Sequence, residues 1–249
     1  MSLWRLLIDG EADGPWNMGV DEALLTSAQQ GLPTLRFYHW TGPWLSLGFA
    51  QRRHASRLAE LEAQGLQVVH RITGGRAVLH GCDLTYSIAL PESSLPSGIQ
   101  ASYGKIAYAL VAGLTGLGLQ VERSGRKAGA PGDAAFDCFA APAMDEICAQ
   151  GRKLVGSAQR RAGGGVLQHG SIRYKPDPEA IQRAAGLAPD VATSLWELGC
   201  QIELDALRGQ LVEAFSRAFT VNIEPGELSG PEREIAGLRQ ISPQPNMSS

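Results

Sequence analysis

Residues 154–174 read LVGSAQRRAGGGVLQHGSIRY, and they give the strongest indication of the fold class. Leu154 to Arg160 and Val166 to Tyr174 are rich in residues typical of β-strands, and Gly163-Gly164-Gly165 lies between them. Glycine accepts the backbone conformations that a tight turn requires. Because a parallel crossover needs about a dozen residues or more, two strands joined this closely must be antiparallel neighbours. The stretch therefore predicts a β-hairpin and argues against a purely parallel sheet.

Other short β-rich segments alternate with fewer, longer helical patterns. The predicted strands are Leu35 to Trp40, Leu45 to Phe49, Leu66 to Ile72, Ala77 to His80 and Leu84 to Leu90. The predicted helices are Asn17 to Gln30, His54 to Gln64, Ser102 to Leu117 and Ile202 to Phe219. Two more short connections, from 35–40 to 45–49 and from 77–80 to 84–90, also predict antiparallel neighbours. The pattern predicts an α+β fold with a mixed, mainly antiparallel sheet flanked by helices.

Composition narrows the classes of function. The 249 residues carry 22 Lys and Arg against 25 Asp and Glu, so no overall positive field attracts nucleic acid or an anionic membrane. No apolar run reaches the roughly 20 residues that span a bilayer, and the N-terminus lacks the pattern of a secretory signal. Four cysteines are too few for a disulfide scaffold, so free thiols are expected. We expect a cytosolic protein that binds neither nucleic acid nor membrane, with a disordered tail over 241–249.

The segment Arg71-Ile72-Thr73-Gly74-Gly75-Arg76-Ala77-Val78-Leu79-His80 joins a strand to a paired glycine loop with an arginine on each side. Glycines allow backbone N–H groups to approach a ligand oxygen closely, and arginines add positive charge for an anion or a carbonyl group. A Gly-Gly hairpin between two strands would have a similar sequence. These residues alone leave a ligand-binding loop and a plain turn both open. Neither a Walker loop nor a G-x-G-x-x-G motif occurs in the chain.

Cys138 is a candidate nucleophile. It lies in Phe136-Asp137-Cys138-Phe139, and Lys153 follows a turn that could bring its ammonium group back to the thiol. A nearby cation favours the thiolate, which is the reactive form of cysteine. A lone cysteine between phenylalanines is also typical of a small core residue. Both interpretations stay open from these residues alone.

The sequence predicts no metal site. His80-Gly81-Cys82-Asp83 holds potential ligands, but zinc needs three or four at workable spacing, and the other histidines are scattered. His169 is typical of a hydrogen-bonded strand residue, although its strand is predicted to pair with the strand of Lys153. We therefore expect neither a metal nor a cofactor.

Together, these segments resemble the biotin/lipoate protein ligase and octanoyltransferase family, whose members attach or transfer a cofactor acyl group to a lysine of a carrier domain. The blocks that carry the resemblance are Asn17 to Leu25, Leu35 to Tyr38, Leu45 to Gly48, Arg71 to His80, Leu84 to Ser87, Gly151 to Gln159 and Leu167 to Ile172. The block at 151–159, GRKLVGSAQ, is the most specific, because the family places its lysine, here Lys153, in the active site. The resemblance implies one class II synthetase-like catalytic domain over residues 1–240, monomeric and without a cofactor.

Within the family, Cys138 favours the branch of cysteine-dependent octanoyltransferases. In that branch a Cys-Phe pair precedes a proline and the lysine block, as residues 138–142 and Lys153 do here. The loop Thr73-Gly74-Gly75-Arg76 is also similar to that branch, whereas ligases tend to have a third glycine in place of Arg76. Asp137 and Cys82 depart from the branch pattern, and a carboxylate beside a thiol should raise the pKa of the thiol.

The resemblance implies a reaction and its participants. Cys138 takes the octanoyl group from acyl carrier protein as a thioester, held by Lys153, and passes it to a lysine of a lipoyl carrier domain. That acceptor is glycine cleavage H protein, a dehydrogenase E2 domain, or both. The implied substrate-binding residues are Arg71, Gly74, Gly75, Arg76, His80, Gly156, Ser157, Ala158 and His169. Two alternatives stay open on the same fold: an ATP-dependent lipoate ligase and a noncatalytic protein that binds carrier domains.

Overall fold

The computed structural model describes residues 2–53, 55–124, 146–186 and 192–241, with the backbone alone for 52–53 and 55–58. The strands are β1 Leu3–Ala12, β2 Thr34–Trp40, β3 Trp44–Leu47, β4 Gln67–His70, β5 Val78–His80, β6 Asp83–Pro91, β7 Glu122–Arg123, β8 Ile147–Ala149, β9 Arg152–Ala162, β10 Gly165–Arg173 and β11 Asn222–Pro225. The helices are α1 Gly14–Gln29, α2 Ala55–Ala63, α3 Ile99–Gly116, α4 Glu179–Ala185, α5 Leu204–Phe219 and α6 Gly230–Ile241. Every predicted strand and helix is present. The sequence patterns missed β1, β7, β8, β11, α4 and α6.

β9 and β10 form the predicted hairpin within an eight-stranded sheet of order β11-β1-β2-β6-β10-β9-β8-β7. β1 pairs in parallel with β11 and with β2, and the pairs from β2 through β7 are antiparallel. Gly163 and Gly164 form the hairpin turn with φ values of +54° and +80°, which favour glycine. The prediction of a mixed, mainly antiparallel sheet flanked by helices is confirmed.

Two of the predicted strand pairings are wrong. β3 and β5 belong to a separate three-stranded sheet of order β4-β3-β5, whereas β2 and β6 pair with each other in the main sheet. Gly42 (φ +78°) and Gly81 (φ +126°) lie in the two short connections, and a Cβ on Gly81 would lie 3.0 Å from the Gly42 carbonyl oxygen. These glycine turns pack against each other and carry the chain from one sheet to the other. Connection length alone does not distinguish this path from a hairpin.

Each face of the main sheet carries a helical layer, because alternate residues of a strand point to opposite faces. On β6, Ile88 and Leu90 pack in the cluster with α3 and α5, whereas Ala89 packs with α1 and α6. The smaller sheet has its own core, in which Leu45 of β3 contacts the cluster that includes Leu61 of α2. The two sheets therefore meet beside α1, and this junction forms the site.

Capping residues define both ends of α1. The carboxylate of Asp13 accepts a hydrogen bond from the backbone N–H of Trp16 at 2.7 Å, and Pro15 occupies the first turn, where no intrahelical N–H bond is lost. Gly31 follows the helix with φ +90°, a left-handed conformation that glycine adopts readily after the end of a helix.

α6 ends at Ile241, the position where the sequence predicts the start of a disordered tail. Residues 242–249 lie outside the described residues, and the bounds of a 1–240 catalytic domain stay a prediction. Within the described ranges, no helix combines the length and the apolar composition needed to cross a membrane.

Candidate active site

A pocket lies where the main sheet, the smaller sheet and α1 meet. Its volume, with the open mouth included, is about 360 Å³. The lining residues are Met18, Tyr38, Trp40, Ser46, Arg71, Val78, His80, Thr85, Gly156, Ser157, Ala158, His169, Gly170 and Ser171. Met18, Tyr38 and Trp40 are buried, whereas Ser157 and Ala158 of β9 are half-buried. The pocket therefore opens on the β9 side and ends against α1 and β2.

His80 is held at both ring nitrogens. Its Nδ1 lies 2.8 Å from Asp83 Oδ2, and its Nε2 lies 2.6 Å from Ser46 Oγ. The Trp40 ring stacks on the imidazole with 4.1 Å between centroids. Arg71 donates through Nη1 to the Ser46 carbonyl oxygen at 2.6 Å and to the Ser46 hydroxyl at 2.7 Å. Two predicted site residues, His80 and Arg71, are thus connected through a serine that the sequence did not point to.

His169 is the centre of a second network. Its Nδ1 lies 2.7 Å from Asp21 Oδ2, and its Nε2 lies 2.6 Å from Thr73 Oγ1. Asp21 also accepts hydrogen bonds from Arg36 Nη1 at 3.0 Å and from the Tyr38 hydroxyl at 3.1 Å. Because all these side chains are buried, the network ties α1, β2 and β10 firmly to the glycine loop that contains Thr73.

The charges in this second network follow from burial and pairing. Burial alone would raise the pKa of Asp21, but the hydrogen bond with His169 and the positive charge of Arg36 hold that pKa below its ordinary value. Burial lowers the pKa of His169, and Asp21 opposes this only in part. A neutral imidazole donates from Nδ1 to Asp21 and accepts at Nε2 from the Thr73 hydroxyl. His169 is therefore suited to hold the loop in place at neutral pH.

Acidification is expected to remove the stabilisation that Asp83 provides. Burial would raise the pKa of Asp83, but the charge and hydrogen bond of His80, together with hydrogen bonds from Ser171 and Thr85, outweigh burial and lower this pKa from 3.8 to about 2. Because the folded-state pKa lies below the unfolded-state value, the stabilisation is complete above about pH 4 and is lost as the pH falls toward about 2. The lowered pKa corresponds to about 2 kcal/mol of unfolding free energy.

Urea unfolding from neutral to acidic pH measures this effect. At neutral pH we expect wild type to be more stable than Asp83→Asn by about 2 kcal/mol, with a difference that shrinks below about pH 4. Asp205→Asn is the control, because the Asp205 side chain is 92% exposed, and it should follow wild type throughout. A difference between Asp83→Asn and wild type that stays constant on acidification would contradict the expectation.

The loop at Gly74 and Gly75 is not a plain hairpin turn, because the strands it joins, β4 and β5, lie on opposite sides of β3. Arg71 Nη2 donates to the carbonyl oxygens of Gly74 at 3.2 Å and Arg76 at 2.8 Å. Gly75 has φ +90°, and a Cβ on Gly48 would lie 1.9 Å from the Gly75 carbonyl oxygen. Gly74, Gly75 and Arg76 adjoin the pocket through Arg71 and are not themselves among its lining residues.

β9 brings the predicted residues Gly156, Ser157 and Ala158 to the pocket. The Ser157 hydroxyl lies 2.8 Å from the Tyr86 hydroxyl. On β10, a Cβ at Gly170 would lie 2.6 Å from the Gly156 carbonyl oxygen and 2.7 Å from Ser157 Oγ. Glycine is therefore required at position 170, because any side chain there would clash with the Gly156 carbonyl oxygen and the Ser157 hydroxyl.

Lys153 lies three residues before Gly156 on β9 and is not among the pocket-lining residues. It is 1% exposed, and its ammonium group pairs with the carboxylate of Glu146, which is 4% exposed. Glu146 was not predicted as a partner. Cys138 and Asp137 lie outside the described residues, so the contact between Cys138 and Lys153 stays a prediction.

The three cysteines of the described chain, Cys82, Cys148 and Cys200, are free thiols in surroundings that disfavour the thiolate. Burial raises the pKa of the Cys148 thiol, and Glu146 raises it further although Cys148 lies opposite Lys153 in the β8–β9 pair. Burial also raises the pKa of Cys82 and of Cys200. These cysteines lack the electropositive setting of a reactive cysteine.

Sequence reasoning missed the partners that hold the two histidines, namely Asp21, Asp83, Ser46 and Thr73. A signal for Asp21 existed, because a carboxylate on the apolar side of a helix is costly to bury unless it is paired. Such a position indicates that a basic or hydrogen-bonding partner is buried nearby. Which partner this is depends on tertiary contacts between residues as distant in sequence as Asp21 and His169.

The fold of this chain is similar to the folds of solved lipoate-protein ligases. A crystal structure of lipoate-protein ligase A bound with ATP has a TM-score of 0.81 and 22% identity, and the likeness covers 97% of this chain and 95% of that chain. The bipartite ligase studied with its E2 lipoyl domain from Thermoplasma acidophilum has a TM-score of 0.74 and 20% identity, covering 97% and 93%. The predicted lipoyl ligase-like fold is confirmed.

The chain belongs to the lipoyl protein ligase A/B catalytic domain family, whose model matches residues 13–216. A curated relative from Moorella thermoacetica, octanoyltransferase LipM, is 43% identical over 92% of this chain and 91% of the relative. A relative of the same name from Kyrpidia tusciae is 39% identical over 95% of this chain and 94% of the relative. The predicted family membership is confirmed.

Proposed function

We propose that the protein transfers an octanoyl group from acyl carrier protein to a lysine of a lipoyl carrier domain, through a thioester on Cys138, in lipoate biosynthesis. Octanoyl transfer is the activity in the names of both curated relatives. The acceptor is glycine cleavage H protein or an E2 domain, and an E2 lipoyl domain is the partner named with the archaeal ligase of the same fold. The enzyme acts as a cytosolic monomer and needs no cofactor.

The pocket is the observation that carries the proposal. One part of its lining is apolar, with Met18, Trp40 and Val78, and suits a straight saturated chain. Each methylene of such a chain contributes roughly 0.8 kcal/mol when it is buried. Another part is polar, with His80 and His169, and suits the carbonyl end of an acyl group. An acyl donor is therefore a better match than a wholly polar ligand.

The chemistry consists of two acyl transfers. In the first, the Cys138 thiolate attacks the thioester carbonyl carbon, a new C–S bond forms, the bond to the carrier sulfur breaks, and the carrier thiolate takes up a proton. In the second, the acceptor lysine amine attacks octanoyl-Cys138, the amide forms, the Cys138 thiolate leaves, and the nitrogen gives up a proton. Exchange between thioesters is nearly neutral and amide formation from a thioester is downhill, so the reaction needs no ATP.

Two groups of this chain assist both transfers. The ammonium group of Lys153 stabilises the Cys138 thiolate and later orients the acyl carbonyl. Backbone N–H groups around Gly74 and Gly75 stabilise the oxyanion that forms when the carbonyl carbon is attacked. The firm attachment of this loop to Arg71 supports such a role, because oxyanion donors act best when they are held in place before the reaction.

A nucleotide-free assay tests the function. Octanoyl acyl carrier protein is mixed with wild type and with H protein or an E2 lipoyl domain, and the mass of each acceptor is measured. We expect octanoylation of at least one acceptor without ATP. A parallel reaction with free octanoate and ATP, scored by pyrophosphate release, tests the ligase alternative. Transfer that requires ATP, or carrier-domain binding without any transfer, would overturn the proposal.

Met18 is expected to influence the preferred acyl length. It is buried at the α1 end of the pocket, away from the mouth on β9. Met18→Ala lengthens the apolar slot, so transfer of decanoyl relative to octanoyl should rise by roughly fourfold for each methylene accommodated. Competition between octanoyl and decanoyl carriers, scored by acceptor mass, measures this ratio.

The control for the acyl-length experiment is Val20→Ala. Val20 is buried on the same helix but does not line the pocket. This variant should lose stability without changing the ratio of decanoyl to octanoyl transfer. An equal change of the ratio in both variants would show that Met18 does not limit the chain length.

A further inference from the structure

We propose that Arg239 of α6 is a positioning residue for acyl transfer, because it holds together the segment of Asp21, which pairs with the pocket residue His169, and the segment of Arg71, which lines the pocket. The inference rests on the proposed function. α6 follows the residues that the family model matches, 13–216, and contributes no side chain to the described pocket lining. Its effect on the site must therefore act through other residues.

Arg239 joins α1 to the end of β4. Its Nε lies 3.0 Å from Glu22 Oε1, and its Nη2 donates to the His70 carbonyl oxygen at 2.6 Å. Arg239 is 3% exposed, so the contact with Glu22, an ion pair without hydrogen-bond geometry between these two atoms, and the hydrogen bond to His70 both lie in a region of low dielectric. Glu22 is the chain neighbour of Asp21, and His70 is the chain neighbour of Arg71. The Arg239 guanidinium group thus links the backbone segment of Asp21, which belongs to the His169 network, to the backbone segment of Arg71, which belongs to the His80 network.

The packing around Arg239 leaves α6 little freedom to shift. A Cβ on Gly19 would lie 2.5 Å from the Ala236 carbonyl oxygen and 3.0 Å from Arg239 Cβ. Ala236 also belongs to the apolar cluster that contains Ile72, the residue between Arg71 and Thr73. α6 therefore packs behind both segments whose other sides face the pocket. A small displacement of α6 would change the separation of α1 and the glycine loop.

A second anchor of α6 provides a natural comparison. Glu232 accepts two hydrogen bonds from Arg5, at 2.8 Å and 2.6 Å, and a third from the Ser27 hydroxyl at 2.6 Å. It is as buried as Arg239, at 2% exposed. This anchor ties α6 to β1 and to the C-terminal part of α1, and none of its partners adjoins a pocket residue in the chain. Loss of Glu232 weakens α6 without releasing the Glu22 to His70 connection.

The test compares Arg239→Gln with Glu232→Gln in the full chain, at a temperature well below unfolding of either variant. Activity is measured as kcat/KM for nucleotide-free octanoyl transfer, and hydrogen–deuterium exchange is measured over residues 17–22 and 71–76. We expect Arg239→Gln to lose roughly 10- to 100-fold in kcat/KM, since misplacement by about 1 Å has effects of this size. Exchange in both segments should increase. Glu232→Gln should keep wild-type kcat/KM at equal folded fraction.

Two further variants separate positioning from folding. Glu22→Gln weakens the contact of Arg239 with α1, keeps the hydrogen bond of Arg239 to the His70 carbonyl oxygen, and is used if Arg239→Gln does not fold. Arg239→Lys keeps a charge near Glu22 without the two-armed geometry, and should recover part of the activity. Equal activity losses in Arg239→Gln and Glu232→Gln, or unchanged exchange over 71–76, would overturn the inference. If wild type itself transfers no octanoyl group, the proposed function fails, and the exchange measurement alone still decides whether Arg239 positions the two segments.

Discussion

Replacing Cys138 by serine is expected to abolish octanoyl transfer, with a loss of roughly 10³-fold or more in turnover and with the fold retained. A thiol is ionised at neutral pH when a cation lies nearby, whereas a serine hydroxyl is not activated in this way without a general base. The enzyme would then lack the acyl acceptor of the first step. No later step could replace it, because the amide forms from the octanoyl-Cys138 thioester.

Intact mass measurement after mixing with octanoyl carrier, in the absence of acceptor, checks this directly. Wild type should gain one octanoyl group that maps to the peptide containing Cys138, and Cys138→Ser should gain none. Cys200→Ser is the matched control, because burial raises the pKa of the half-buried Cys200 and it should retain full activity. Octanoyl transfer that persists in Cys138→Ser, or a missing adduct in active wild type, would exclude the covalent mechanism.

Replacing Lys153 by methionine is expected to have the second largest effect, and it should lower both stability and activity. Lys153 and Glu146 form a buried ion pair, so the single variant removes the ammonium partner of a carboxylate in the interior. Breaking a buried pair from one side costs about 3–5 kcal/mol of unfolding free energy. If Lys153 also stabilises the Cys138 thiolate, the pH at which Cys138 reacts with iodoacetamide should rise in the variant.

A double variant separates the two roles of Lys153. In Lys153→Met/Glu146→Leu, apolar groups replace both charges, and urea unfolding should show recovery of most of the lost stability. Octanoyl transfer should stay low, because the missing ammonium group is needed for the chemistry. Transfer that recovers together with stability would show that Lys153 serves the fold alone.

Much of the architecture was predictable because its signals are local. The Gly163-Gly164-Gly165 turn defined the β9–β10 hairpin, and the helical spacing of Leu207, Leu211 and Phe215 defined α5, in which all three are buried. α6 was missed because its apolar face is narrow: among its residues only Ala236 joins the core clusters of the described chain, and its other buried side chains are charged. A helix that is polar overall and held by ion pairs has too few apolar residues to be recognised from them alone.

The family, the fold class and six of the fourteen residues that line the pocket could be read from the sequence, because these depend on turn chemistry, apolar periodicity and short motifs. Tertiary contacts place β2 and β3 in different sheets and bring Asp21 to His169, Asp83 to His80 and Glu146 to Lys153. The physical reason is that a buried charge must find a partner, yet sequence spacing does not say which one, since folding brings residues from distant elements to the same interior position.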